Sequence, residues 1–294
     1  MPDYRLSVSD IYREFALRCL NDDPDLFILS TIEDHSLRRV ELPSWAPDFS
    51  VPLTRSMLAY PSLDVMVPYL ESAEGKRRVT WSDTEPDVLI LQGHRVDVIQ
   101  DVLDPGVSAL VRDIVHQTIA FAQDFPSEYP TGEVKPEALW RTLTANVGNT
   151  PTYEYPAPEV FAQFFAAYSS HAAMTSEEGL GGLQIDDNSG GTGSYSGDKG
   201  ALDSKDFAEA VSRAMGERKF FVTEDKLYGI GPQSVQRGDM VILFAGGRVP
   251  YVIRPHETNE NMPFSFVGEC YCHGICHGQA LSESGFTWEN VSLV

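Results

Sequence analysis

No run of apolar residues in this 294-residue chain approaches the roughly 20 that a helix needs to cross a bilayer. The opening Met1-Pro2-Asp3-Tyr4-Arg5 lacks the apolar core of a secretory signal. Cysteine is scarce: four in all, too few for a disulfide scaffold at this length. These absences point to the cytoplasm with thiols reduced, and leave the Asn290-Val291-Ser292 sequon without a glycosylating compartment. Basic residues are also short, with 22 Lys and Arg against 43 Asp and Glu and a formal net charge of −21. Such a surface repels phosphate backbones and anionic lipid, which argues against nucleic acid and membrane as partners. No internal repeat is visible.

What the chain does contain is enough apolar residue for a globular core, 42% of the total. Ser7 with Asp10 reads as a helix cap, followed by an apolar stripe of Val8, Ile11, Tyr12, Phe15, Cys19 and Leu20. Prolines 43 and 47 bracket Trp45 in Leu42-Pro43-Ser44-Trp45-Ala46-Pro47-Asp48-Phe49. They exclude regular helix or central strand, so Trp45 is expected to plug a core from an extended loop. Arg77 to Trp81 and Val88 to Val98 read as two strands, with a bulge expected at Gly93. A helix is expected over Val107 to Ala122, with His116 off its apolar stripe and solvated. Two more helices start near Pro136 and Pro158, and a short one surrounds Phe207, Val211 and Met215.

The last quarter alternates short apolar runs with Gly and Pro at nearly even spacing, the pattern of a small, tightly turned barrel. Its strands are expected at Lys219–Thr223, Lys226–Tyr228, Met240–Phe244, Val249–Ile253 and Ser265–Glu269. Gly229-Ile230-Gly231-Pro232 and Gly246-Gly247 read as turns, and Gly238-Asp239 as a strand opening whose carboxylate accepts a turn N–H. The fold class is therefore α+β: a small, predominantly antiparallel β-barrel built from strands of both halves and flanked by α-helices on one side. Residues 1–175 form a helical region with two early barrel strands. Residues 176–206 form an acidic, Gly/Ser-rich flexible loop, and 207–294 the main barrel region, all within one structural domain.

Four segments in register resemble one family. They are Pro2-Asp3-Tyr4 leading to Ile11-Tyr12-Arg13-Glu14-Phe15, the Leu42–Phe49 segment, Leu139-Trp140-Arg141-Thr142-Leu143, and the barrel run from Arg218 to Tyr271. Their order is similar to the C-terminal, barrel-containing region of fungal heterokaryon-incompatibility (HET) proteins. In that family a HET domain precedes the Pro-Asp-Tyr segment. The resemblance thus implies the region downstream of it, encoded alone or truncated, in a fungal incompatibility or innate-recognition setting. It implies no catalytic residue.

The densest reactive cluster is Glu269-Cys270-Tyr271-Cys272-His273-Gly274-Ile275-Cys276-His277. Thiolate and imidazole suit zinc, but structural zinc takes paired ligands on two segments, and no second pair exists. Cys272 and Cys276 are also too far apart for the haem-attachment pattern. Cys270 and Cys272 on one strand face are expected to pack as small hydrophobes, with no metal and no cofactor. The Gly190–Lys199 stretch misses both the dinucleotide and the P-loop spacings and reads as flexible loop. If the protein is an enzyme, its acid–base groups are His273, Glu269, Arg254 and His94, polar residues beside strands that could meet at a barrel mouth. An Arg254–Glu269 pair is the expected contact among them. The leading expectation is a non-enzymatic recognition or regulatory module with a protein partner. The rival is a small-molecule enzyme of fungal secondary metabolism, promoting cyclisation or isomerisation by holding an apolar ligand.

Overall fold

The computed structural model describes residues 5–22, 25–60, 79–81, 85, 87–106, 109–149, 153–170, 199–256, 263–282 and 285–294. Helix α1 (Val8–Asp22) starts at a reciprocal cap: Asp10 N–H donates to Ser7 Oγ, and Ser7 N–H donates to Asp10 Oδ2. The one-turn α2 (Phe27–Ser30) follows. Strands β1 (Val79–Trp81) and β2 (Leu89–Leu103) precede three helices, α3 (Val111–Phe121), α4 (Lys135–Leu143) and α5 (Phe161–Ser170). Pro136 sits in the first turn of α4, where its missing N–H is harmless. Helix α6 (Lys199–Met215) then leads into β3 (Arg218–Thr223), β4 (Tyr228–Pro232), β5 (Met240–Phe244), β6 (Tyr251–Arg254), β7 (Ser265–Glu269), β8 (Tyr271–Cys272) and β9 (Glu289–Leu293). Most of the expected loop over 176–206 lies outside the described residues; α6 already begins at Lys199. Among the described residues no helix is long and apolar enough to cross a membrane.

The long strand β2 organises the sheet. Its first part pairs with β1 and β9, its middle with β5, and its end with β3, all antiparallel. Hydrogen-bonded neighbours run β7-β6-β5-β2-β3-β4-β8, so both halves of the chain contribute strands as expected. Among the described residues no ladder joins the two ends of this order, so the closed barrel expected from the sequence is corrected to a sheet without continuous pairing around it; a single parallel bridge, Phe264 to Leu293, ties the chain just before β7 to β9. The ends are adjacent along the chain, because β7 stops at Glu269 and β8 starts at Tyr271. The helices also divide. Helices α3 to α6 pack on one another and reach β2, β3 and β4, whereas α1 and α2 pair with each other and α2 reaches β7. They therefore form two groups rather than a single flank.

Two glycines serve close approach rather than turns. The Gly229-Ile230-Gly231-Pro232 segment is strand β4, not the expected turn. A Cβ on Gly229 would come within 2.2 Å of the ring of Phe221, its partner across the ladder. Gly93 is not at a bulge; the register shifts of β2 fall between Arg95 and Asp97 and between Ile99 and Asp101. A Cβ there would meet Ile242 at 2.8 Å. Glycine thus lets large side chains lie flat over neighbouring backbone.

Trp45 is fully buried, as the loop reading requires, and its indole N–H donates to the Asp87 carbonyl at 2.8 Å. The loop that carries it is shaped by one cation. Arg38 spreads its guanidinium over four carbonyls, those of Leu42, Pro43, Ser44 and Ala46, at 2.9 to 3.0 Å. A proline-rich loop cannot satisfy its carbonyls in a ladder, and the planar fork of arginine meets four at once. Burial lowers the Arg38 pKa to about 10, still well above neutrality. Arg38→Ala should destabilise the fold by roughly 2–4 kcal/mol in urea titration and expose Trp45 to acrylamide quenching. Arg38→Lys should restore less than half of the loss, since an ammonium cannot span four carbonyls.

Candidate functional site

Candidate chemistry concentrates where the N-terminal segment meets the sheet. Strand β3 places Arg218 in the same alternating phase as buried Phe220, and its side chain is fully buried. Its guanidinium Nη2 donates to Glu269 Oε1 at 2.7 Å and to the Ser56 carbonyl at 2.6 Å. Nη1 reaches the Ala214 carbonyl at the end of α6. Glu269 Oε1 also accepts the Leu58 N–H at 2.9 Å. A second arginine, Arg55, donates to the Ile32 carbonyl and lies 4.0 Å from Glu33. Desolvation pulls the Arg218 pKa down to about 10 against the attraction of Glu269, which leaves it charged at neutral pH. Glu269 Oε2, Arg218 Nε and Arg55 Nε have no hydrogen-bond partner among the described residues.

The expected Arg254–Glu269 pair does not form. Arg254 makes a two-point contact with Asp239, at 2.7 and 3.0 Å, and also binds the Ser234 carbonyl. Asp239 in turn accepts the Gln236 N–H, the turn contact read from Gly238-Asp239. The physical reason lies in the register: Glu269 stands opposite Tyr251, three residues before Arg254, and faces inward to Arg218.

His273 is bracketed on both ring nitrogens, by Tyr271 Oη at 2.8 Å and by Glu133 Oε2 at 2.6 Å. Tyr129 Oη donates to the His273 carbonyl and accepts the Tyr228 N–H, joining this node to β4. The hydrogen bond from His273 lowers the Glu133 pKa, and burial holds the Tyr129 phenol well above its usual value. His94 lies apart: its ring tilts against Phe286 at 4.3 Å, and Nδ1 contacts the Thr287 carbonyl at 3.1 Å. The four acid–base candidates thus have four different sets of partners. His116, expected in solvent, instead binds the Tyr168 carbonyl of α5 at 2.7 Å.

Cys270, Cys272 and Cys276 are buried, and desolvation raises all three thiols, Cys276 to about 12. They pack as neutral hydrophobes. Among the described residues no three His, Cys, Asp or Glu side chains converge as metal ligands. The sequence reading missed Arg218, Arg55, Glu33, Glu133 and Tyr129. For Arg218 a signal existed: in Arg218-Lys219-Phe220 the arginine shares the inward phase of the phenylalanine.

Two further concavities complete the picture. A polar cleft of about 570 Å³ is lined by Arg13, His35, Arg38, Ser44 and Asp87, among others. Burial, followed by the charge of Arg38, lowers His35 to about 4. A second cavity, of about 610 Å³ and mostly apolar, lies between α3, α4 and α5.

Residues 129–285, more than half of the chain, match the Het-6 beta-barrel domain, and the chain belongs to that family. A stretch of 67 residues is 37% identical to Heterokaryon incompatibility protein 6, OR allele, of Neurospora crassa. The stretch covers 23% of this chain and 10% of that protein. No solved structure matches. The resemblance to the barrel-containing region of heterokaryon-incompatibility proteins therefore holds.

Two measurements test these assignments. Glu269→Gln leaves Arg218 without its counter-charge and should cost about 3–5 kcal/mol in urea unfolding. A cycle with Arg218→Met should show coupling of at least about 1.5 kcal/mol, and additive losses would refute the pair. His35, with its folded pKa lowered, binds protons in the unfolded chain before the folded one. Its stabilising effect is complete above pH 6.5 and is lost as pH falls from 6.5 towards 4. His35→Gln should flatten stability over that window by on the order of 1–3 kcal/mol. An unchanged pH profile would remove His35 from the account.

Proposed function

We propose that the chain is a non-enzymatic recognition or regulatory module of a heterokaryon-incompatibility-like protein, acting in the cytoplasm through a protein partner. The observation that carries this reading is the outer face of α1. Val8, Ile11 and Phe15 are 51%, 46% and 50% exposed, although Leu20 of the same apolar stripe is fully buried. Phe49 lies beside them, edge-on to Tyr12 and Phe15 at 5.2 and 5.3 Å. A contiguous apolar face on a protein so rich in charge is the usual mark of an interaction surface. Exposed Glu14 on the same helix and the net charge of −21 favour a partner that is apolar and neutral to basic; Asp22 is paired with Arg18 at 3.4 Å.

The polar residues support binding over chemistry. Arg254, Glu269 and His273 all hold strands or segments together, and a group so engaged is poorly placed to shuttle protons. Nothing favours the alternative of a barrel-mouth enzyme. Ile11→Glu with Phe15→Glu alters exposed positions and should leave circular dichroism unchanged. In fungal cytosol the double variant should lose cross-linking to a discrete partner at least tenfold relative to the unaltered protein. The same cross-linked species from both proteins would overturn the reading.

A further inference from the structure

The cavity between α3, α4 and α5 lies well away in sequence from the α1 face and from the buried ion pair, and it has a different chemistry. Its volume of about 610 Å³ falls within the range of small-molecule sites. Ile119, Leu139, Trp140, Ala162 and Phe165 supply apolar walls, and Val134, 62% exposed, stands at its mouth. Trp140 is held rigidly, edge-on to Phe161 at 6.3 Å and covered by the Arg141 guanidinium at 4.3 Å.

Every ionic group on the lining is already hydrogen-bonded within the protein, and Lys135 and Arg141 together balance the charge of Glu137 and Glu159. Lys135 Nζ caps the end of α3, donating to the Ala122 carbonyl at 2.9 Å and the Phe125 carbonyl at 2.5 Å. Glu137 accepts from Arg141 at 2.9 and 3.0 Å, and Glu159 accepts from the same guanidinium at 2.5 Å. A charged ligand would therefore lose its hydration and meet only charged groups that already bond within the protein, on a lining of no net charge. One polar side chain on the lining is uncommitted: the Gln123 amide hydrogen-bonds to no group among the described residues.

The geometry points to a binding site for an uncharged, largely apolar, ring-containing small molecule with one hydrogen-bonding group directed at Gln123. The walls discriminate by shape and by absence of net charge, and Gln123 fixes orientation. This site is separate from the protein-partner surface on α1, and its failure would leave that reading untouched.

The test uses the full chain and the neutral fluorophore N-phenyl-1-naphthylamine, read by emission enhancement and by energy transfer from tryptophan. One saturable site with a micromolar Kd is expected. Anionic 8-anilinonaphthalene-1-sulfonate should bind at least tenfold more weakly. Ala162→Phe fills the cavity and should weaken the neutral probe at least tenfold with unchanged circular dichroism. If that variant does not fold, Ala166→Phe, at an exposed position on the lining, carries the same expectation. Phe15→Ser should leave probe binding unaltered. In competition, 1-naphthol should displace the probe at least threefold more tightly than naphthalene, and Gln123→Ala should abolish that margin. Several results would overturn the site: non-saturable binding, full affinity in a folded cavity-filling variant, equal affinity for the anionic probe, or loss of binding in Phe15→Ser. A naphthol margin that survives Gln123→Ala would remove Gln123 from it.

Discussion

Burying the Glu269 carboxylate strips away its hydration, a loss offset by the Arg218 guanidinium and the Leu58 N–H. Neither partner is local. Arg218 opens β3, 51 residues earlier, and Leu58 lies more than 200 residues away in the N-terminal segment. Arg218 also holds the Ser56 carbonyl and the last turn of α6. One carboxylate therefore couples the end of β7, the start of β3, the close of α6 and the segment around Ser56. A buried pair of this kind adds little over a well-packed apolar contact, yet removing one partner is severe. Its consequence for the fold is registry. The Trp45 loop repeats the logic, since Ser44 accepts the Phe266 N–H and its own backbone N–H donates to the Val294 carbonyl. The N-terminal segment is interlocked with the sheet at both places.

The remaining buried polar groups follow the same pattern at smaller scale. Asp239 with Arg254 fixes the connection between β4 and β5, and Glu133 with His273 fastens the segment before α4 to the end of β8. The second pair joins elements that the backbone ladders leave apart, whereas the first extends the β5–β6 ladder one residue past Met240 and Ile253. Polar residues scattered along strands therefore read equally well as a dispersed active site or as fastenings, and only partner geometry separates the two. Here the partners are protein groups from other elements.

Alternation and Gly/Pro punctuation made β3, β5, β6 and β7 legible but not β8 or β9, and the 3.6-residue pattern marked α3 to α5 and the C-terminal half of α6. What local pattern could not convey was who faces whom. Glycine in β4 reads as a turn because the ring that needs the space, Phe221, belongs to the neighbouring strand. Asp239 and Glu269 are both acids close to Arg254, and only the register of β6 with β7 decides between them. In α1 the helix and its cap were legible, but the buried face was not. Ala16 and Leu20 point inward, and Phe15, one residue or about 100° from Ala16, points out. A helix with two apolar faces carries too much hydrophobic surface for one core contact, so periodicity alone cannot say which face the core takes.

That surplus separates the outer surfaces from the interior. Inside, among the described residues, Arg218 is paired with Glu269 and Cys270, Cys272 and Cys276 are kept as neutral thiols. Outside, two apolar surfaces stand on a strongly acidic chain. Net charge of −21 acts at long range and sets which partners can approach, favouring neutral or basic ones. At contact, shape and apolar burial add to charge, whose reach is limited by screening to about 8 Å at physiological salt. The α1 face carries exposed Val8, Ile11 and Phe15 with Phe49 edge-on against it, which under the proposal suits a macromolecular partner. The cavity between α3, α4 and α5 is concave and walled by a rigid indole, which suits a small ring. Under the two proposals, surfaces that share no residue serve different kinds of molecule.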